Sequence, residues 1–289
     1  MGADKLISRP VLRYHGGKFR LAPWILSYFT PHRTYTEAFG GAASVLMRKP
    51  RSYAEVYNDR WGVVVEVFRV LRDPVQAARL ERAIRLTPFS RDEFEAELPD
   101  VSEDIVERVR RTILRSFAGF GSASANGEHS TGFRATSKRS HTTPAHDWAN
   151  YPDCIRSFTE RLAGVVIENR PAAQIIKAHD GPDTLHYVDP PYPHETRNME
   201  RGNAAYVFEM TTEDHERLSE TLHTCAGMVV LSTYPNAMYD RMYGGWRREE
   251  CATFADGVRA KTEILYLNKA CAARQQYDLL SFLEKVSSK

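Results

Sequence analysis

An α/β fold built on a parallel sheet is predicted for this 289-residue chain, on three observations. Strand-like and helix-like segments alternate over roughly the first two hundred residues, as they do where crossover helices join parallel strands. Hydrophobic residues make up 42% and charged residues 26%, enough to bury a core and unlike a disordered, collagen-like or coiled-coil chain. Acidic and glycine-bearing segments also fall directly after predicted strands, where open α/β sheets hold their ligands.

Taken in order, Tyr35 to Phe39 reads as a strand, stopped by Gly40-Gly41 and followed by a short helical stretch from Ala42 to Arg48. Tyr53 to Tyr57 reads as a second strand ending at Asn58-Asp59. A helix then carries Val63, Val64, Val67, Phe68 and Leu71 on one face. From about Asp73 to Gly164 the pattern changes. Ser102 is predicted to cap a helix opened by Glu103 and Asp104, with Ile105, Val109 and Ile113 four apart and arginines on the other side. Gly121 to Ala145 is rich in Gly, Ser, Ala, Thr and His, and a loop of that length is usually functional. We therefore expect an insertion here. Val165 to Ile167, Leu185 to Val188 and Met228 to Leu231 suit buried strands, and Ile264 to Leu267 suits an edge hairpin. There are no internal repeats.

Lys and Arg number 39 against 37 acidic residues, so net charge identifies no partner. Its distribution is more informative. Between Ile105 and Ala145 stand seven basic residues, Arg108, Arg110, Arg111, Arg115, Arg134, Lys138 and Arg139, against Glu107 and Glu128. Taken alone this is more simply a solvated helix face with a basic loop, and the sharper reading is a polyanion-binding surface. Cys154, Cys225, Cys251 and Cys271 are scattered, and the histidines show no ligand spacing, so no structural metal is expected. No apolar run approaches the ~20 residues that span a bilayer. Met1 to Arg13 lacks a secretory signal's apolar stretch, which makes the cytoplasm the expected compartment.

Asp189-Pro190-Pro191-Tyr192 follows the apolar run Leu185 to Val188. Neither proline has an N–H, so the segment presents only acceptors, the Asp189 carboxylate and the Pro190 carbonyl, beside an aromatic ring. Such a site suits a planar group bearing an –NH2, with the ring stacking on Tyr192. Glu37-Ala38-Phe39-Gly40-Gly41-Ala42 is a second signal, because glycines after a strand let a nucleotide-like ligand approach the backbone. Asp59 lies 22 residues past Glu37, at the end of the next strand, where an acid meets ribose hydroxyls. Tyr14-His15-Gly16-Gly17-Lys18 has a glycine pair before a lysine but is not a phosphate loop.

Together these three segments resemble the Dam-like class of DNA adenine-specific methyltransferases, with matching stretches from Arg13 almost to Asn268. The resemblance implies a Rossmann-like S-adenosylmethionine-dependent methyltransferase domain, with a mixed seven-stranded sheet, at residues 1–72 and 165–289. A mainly helical target-recognition insertion would occupy 73–164. It implies cofactor contacts from Tyr14, Lys18, Glu37, Phe39, Gly40, Gly41, Asp59 and Asp189, and catalysis at Asp189, Pro190, Pro191 and Tyr192. The product would be S-adenosylhomocysteine. The partner is double-stranded DNA, held by Arg115, Arg134, Lys138 and Arg139, with the target base flipped onto Tyr192. No metal is needed, because the sulfonium is already an activated leaving group. Where the family often carries an aspartate for the cofactor adenine, this chain has Glu168-Asn169-Arg170-Pro171-Ala172, and His15 replaces a small residue. The alternatives are methylation of cytosine, RNA adenine or protein glutamine, and a DNA-binding relative without turnover. Oligomeric state, with a monomer as one option, stays open, as do a restriction partner and a phage origin.

If the basic insertion holds phosphates, replacing Arg134, Lys138 and Arg139 by alanine weakens binding to all DNA sequences. It also flattens log K against log salt by about 0.9 per lost contact. Fluorescence anisotropy over a salt series checks this, and an unchanged slope removes the loop from the interface.

Overall fold

A computed structural model describes residues 7–95, 102–119, 132–136, 142–193, 206–255 and 259–276. The chain runs through α1 (Ala22–Leu26), β1 (Thr34–Glu37), β2 (Ala54–Asn58), α2 (Gly62–Arg72), α3 (Pro74–Leu86) and α4 (Arg91–Glu95). It continues through α5 (Ile105–Ala118), α6 (Pro144–Ala149), α7 (Pro152–Leu162), β3 (Val165–Glu168), α8 (Ala172–His179) and β4 (Thr184–Val188). Then come α9 (Thr212–His223), β5 (Met228–Thr233), α10 (Ala237–Met242), β6 (Arg247–Ala255) and β7 (Arg259–Leu267).

The strands form one seven-stranded sheet in the order β3-β2-β1-β4-β5-β7-β6. β1 to β5 pair in parallel, while β7 runs antiparallel to both β5 and β6. This is the mixed seven-stranded α/β sheet that the resemblance implies, with the expected hairpin at its edge. The two-residue period of the strands sorts side chains between the faces. Met228 and Val230 of β5 join one core with Leu265 and Leu267 of β7, and Val229, Leu231, Ile264 and Tyr266 join the other. Ile176 of α8, Leu218 and Leu222 of α9 and Tyr239 of α10 cover the second face.

The first face is covered by α2 and the helices that follow it. On α2, Val64, Val67, Phe68 and Leu71 are fully buried, each contributing about 1.5–3 kcal/mol relative to exposure. Leu80 and Ile84 of α3, Ile113 and Phe117 of α5, and Phe158 and Leu162 of α7 lie in the same apolar cluster as these α2 residues. The helices between 73 and 164 thus share one core with the sheet.

Three local expectations are corrected. Ala42 to Arg48 forms successive turns rather than a helix, because Gly41 and Ala43 have φ of 47° and 51°, outside the right-handed helical region. The cap of α5 is Asp104, whose side chain accepts from Val106 N, while Ser102 Oγ accepts from Asp104 N one step earlier. The α5 arginines do not form a solvated face. Arg108 pairs with Glu66 of α2 at 2.7 Å, and Arg110 with Glu107 at 2.6 Å and Glu93 of α4 at 3.1 Å. Arg111 also pairs with Glu107.

A buried charge cluster fastens the helical layer to the sheet. Glu55 of β2 accepts from Lys49 Nζ at 2.6 Å and from Arg161 Nη1 of α7 at 2.6 Å, and Arg161 Nη2 also donates to the Leu46 carbonyl. Burial alone would push the Glu55 carboxyl up, but Arg161 and Lys49 outweigh it and hold it below the ordinary carboxylate range. Removing one partner from such a cluster leaves uncompensated buried charge. Glu55→Ala should therefore cost about 3–5 kcal/mol in urea denaturation, and a loss below about 1 kcal/mol would show that water already serves the two cations.

Candidate active site

β1 and β4 are parallel neighbours, with β2 and β3 on one side and β5 on the other. The chain therefore leaves these two strands in opposite directions, and a crevice opens beyond their carboxyl ends. A cavity of about 470 Å³ lies there, lined by Glu37, Gly40, Gly41, Asp59 and Asp189 among others. Residues separated by most of the chain meet at one edge of the sheet.

The glycine turn is built by close approach. A Cβ on Gly40 would lie 2.2 Å from the Tyr57 ring and 2.9 Å from Asn58 O, so no side chain fits. Gly41 adopts φ +47°, and a Cβ there would lie 2.9 Å from the Tyr14 ring. Asp59 fastens this turn: Oδ2 accepts from Gly41 N and Oδ1 from Trp61 N, each at 2.8 Å. Burial raises the Asp59 pKa, and these backbone donors offset part of the rise.

Glu37, at the end of β1, is 2% exposed. Its Oε2 accepts from Tyr35 Oη at 2.7 Å and Leu46 N at 2.8 Å, and these described partners leave Oε1 without a hydrogen bond. Burial pushes its carboxyl up to about 8 despite those donors.

Asp189 follows β4 and is held through a single oxygen. Ser232 Oγ donates to Oδ1 at 2.7 Å, Tyr192 Oη at 3.0 Å, and Lys18 Nζ lies 3.0 Å away. Among the described residues, Oδ2 has no hydrogen-bond partner. Lys18 also donates to Gly16 O and lies 3.5 Å from Glu263 of β7. The Tyr192 hydroxyl lies between Asp189 and Glu263 and has one hydrogen for the two carboxylates, the Glu263 contact being the shorter. Burial lowers the Lys18 pKa, but the Asp189 and Glu263 carboxylates outweigh it and raise the ammonium well above its ordinary value.

The expected cofactor residues Tyr14, Lys18, Glu37, Phe39, Gly40, Gly41, Asp59 and Asp189 all line the cavity, as does Pro191. Pro190 and Tyr192 are buried beside it. The Tyr192 ring, assigned from the sequence as a stacking surface, is 3% exposed, with the Lys18 ammonium 4.7 Å above it and Tyr234 packed edge-on. Ser232 and Glu263 stand in segments, Leu231 to Pro235 and Thr262 to Tyr266, that look like family segments, but neither takes a role from the sequence alone, because each reaches Asp189 or its partners from a distant strand. Trp61 and Arg170-Pro171-Ala172 also line the cavity, the latter where the family more often has an aspartate.

Of the residues expected to hold DNA, Arg115 and Arg134 are described. Arg115 is 9% exposed, and its Nη1 donates to Phe94 O at 3.2 Å, so the helical layer encloses it. Arg134 is half-buried, and burial, then neighbouring Arg13, lowers its pKa to about 10. Lys138 and Arg139 lie outside the described residues.

The four cysteines are free thiols. Asp180, His186 and Cys225 gather outside the cavity lining, but the Asp180 oxygens already accept from Ala226 N and Gly227 N, and His186 Nδ1 pairs with Thr36 Oγ1. No helix of the described residues is long and apolar enough to cross a membrane.

Comparison with curated proteins finds no match. A family model does match: D12 class N6 adenine-specific DNA methyltransferase, over residues 14–245, which run from the glycine-lysine element through the cavity to the far side of β5. On that match, and with the cavity and acceptor cluster at the carboxyl ends of β1 and β4, the chain belongs to the D12 class of N6 adenine-specific DNA methyltransferases.

Proposed function

We propose that Asp189 Oδ2 accepts a hydrogen from the N6 amine of an adenine rotated out of double-stranded DNA. The family's reaction, methyl transfer from S-adenosylmethionine to adenine N6 in DNA, is the activity of this chain. What is proposed is how its residues perform that reaction.

The asymmetry of Asp189 carries the reading. Ser232 and Lys18 donate to Oδ1 and the Tyr192 hydroxyl lies against it, so Oδ1 is held within the cluster and Oδ2 is left to a partner outside it. An adenine amine is a poor nucleophile because its lone pair is delocalised into the ring. Accepting its hydrogens at Asp189 Oδ2 and at the Pro190 carbonyl favours a tetrahedral nitrogen whose lone pair is free to attack. At N6 one N–C bond would form as the methyl–sulfur bond of the bound cofactor breaks, leaving the neutral thioether S-adenosylhomocysteine, and one N–H bond would break, its proton passing to Asp189. Positioning is therefore the main contribution of the protein. A base stacked in a duplex cannot reach a carboxylate at the end of β4, which is the reason for flipping. With its ring buried and its hydroxyl on Asp189, Tyr192 acts here as a positioning residue.

The cavity fits the cofactor in size and chemistry: about 470 Å³ is within the range of small-molecule sites, and carboxylates suit a cation. When bound, S-adenosylmethionine supplies an electrophilic methyl on an activated sulfonium, so the chemistry calls for no metal. Glu37, Asp59 and the Gly40-Gly41 turn would hold it. We place this activity in the cytoplasm of a bacterial cell or phage-infected host, where DNA and cofactor meet.

Asp189→Ala should abolish transfer of tritiated methyl to DNA with the fold intact by circular dichroism. Near-wild-type turnover would remove Asp189 from the role, and an inactive wild type that still binds DNA would favour the non-catalytic relative. Glu37 makes cofactor binding pH-dependent in a stated direction. In the free protein its carboxyl titrates near 8 and is mostly neutral at pH 7, whereas a cationic ligand favours the ionised form. Binding should release a proton, and affinity should rise by up to about tenfold per pH unit below 8. Calorimetry in buffers of differing ionisation enthalpy reads this. The dependence should vanish in Glu37→Gln, and its persistence there would assign it to another group.

A further inference from the structure

Glu263 is a charge where the pattern of β7 calls for an apolar residue. It shares the inward face of that strand with Leu265 and Leu267 and is 1% exposed. A carboxylate there is costly unless it is paired. Its partners are Lys18 Nζ at 3.5 Å and the Tyr192 hydroxyl, and both of these also touch Asp189 Oδ1. Glu263 does not line the cavity. It thus meets Asp189 through these shared partners and not through the cavity wall.

Resting on Asp189 as the acceptor for the amine, we infer that Glu263 is a positioning residue for methyl transfer, acting on Asp189 through Lys18 and Tyr192. Two effects follow from the geometry. First, Glu263 anchors the ammonium that holds Oδ1, and by accepting the phenol's one hydrogen it fixes the Tyr192 ring against Asp189. Second, it shares the Lys18 charge. With Glu263 ionised, one ammonium serves two carboxylates and the cluster keeps a net negative charge for the amine. Without that charge, Lys18 is left to Asp189 alone, and the carboxylate becomes a weaker acceptor.

The ionised form is the working one, and its range of pH follows from its surroundings. The groups facing Glu263 are Lys18 from the N-terminal segment, Asp189 and Tyr192 after β4, Tyr187 on β4 and Cys251, its register partner on β6. Burial pushes the Glu263 carboxyl up to about 7, with Lys18 lowering it and Asp189 raising it. Protonation below that pH removes the shared charge, so kcat should fall on the acid side.

The test is Glu263→Gln in the full chain, measured from pH 6 to 8 at saturating cofactor and DNA, so that the Glu37 effect on affinity does not enter. The expected kcat is about ten- to hundredfold lower with KM for the cofactor little changed. The acid limb near 7 should be gone, and Glu263→Asp should recover part of the rate together with the limb. Wild-type kcat in Glu263→Gln would overturn the inference, as would a reduced rate that keeps the wild-type acid limb, the mark of a merely structural role. If Glu263→Gln does not fold, Tyr192→Phe reads the same linkage by removing only the bridging hydroxyl, and an unchanged kcat there counts against it. Full turnover in Asp189→Ala would instead overturn the Asp189 assignment itself, so the two failures are distinguishable.

Discussion

The catalytic edge of this protein depends on carboxylates kept in a low-dielectric setting and held by fixed donors. Three acidic side chains, Glu37, Asp189 and Glu263, converge where the central strands end, with a single ammonium, Lys18, serving two of them. Each would be costly to bury alone. Tyr35 and Leu46 N fix one oxygen of Glu37, while Ser232, Tyr192 and Lys18 fix one oxygen of Asp189. In both residues the other oxygen has no hydrogen bond among the described residues, and it is the atom proposed to meet the ligand. The compensation of buried charge and the orientation of the functional atom are therefore the same set of hydrogen bonds.

The sheet makes this convergence possible. Because β1 and β4 are neighbours whose chains diverge, Glu37 and Asp189 reach the same crevice from strands far apart in sequence. The antiparallel return of β7 beside β5 then brings Glu263 to the edge that the parallel strands end on. Beneath the sheet, the helices from α2 to α7 share one core, and the Glu55 cluster fixes α7 to β2. The cavity thus rests on a layer that cannot shift without disturbing buried ion pairs.

Much of this was legible in the sequence, for physical reasons. The glycine turn could be read because Asp59 follows it at the end of the next strand, although Gly40-Gly41 alone would suit any tight turn, and Asp189-Pro190-Pro191-Tyr192 because two prolines leave only acceptors on show. Other features were not legible because they are long-range. Arg115 counts as a basic residue in any charge tally, yet the fold encloses it under Phe94. Ser232 sits within an ordinary apolar strand, and only the pairing of β4 with β5 brings it to Asp189. Ala42 to Arg48 has helical composition, and the left-handed backbone at Gly41 and Ala43 overrides it. Local propensity loses wherever a distant segment supplies the stronger constraint.

The ion-pair network around Lys18 also sets an order of events during synthesis. It joins residue 18, near the start of the chain, to residue 189 after β4 and residue 263 on the last strand. A nascent chain that has emerged as far as β5 already carries the glycine turn and the acceptor motif, but not the counter-charge from β7. N-terminal segments generally fold first as they leave the ribosome. The lysine must therefore wait, paired with Asp189 alone, until the final hairpin closes the sheet. Completion of the charged cluster thus waits on β7, so a chain halted before that strand lacks the finished network even where every residue lining the cavity has been made.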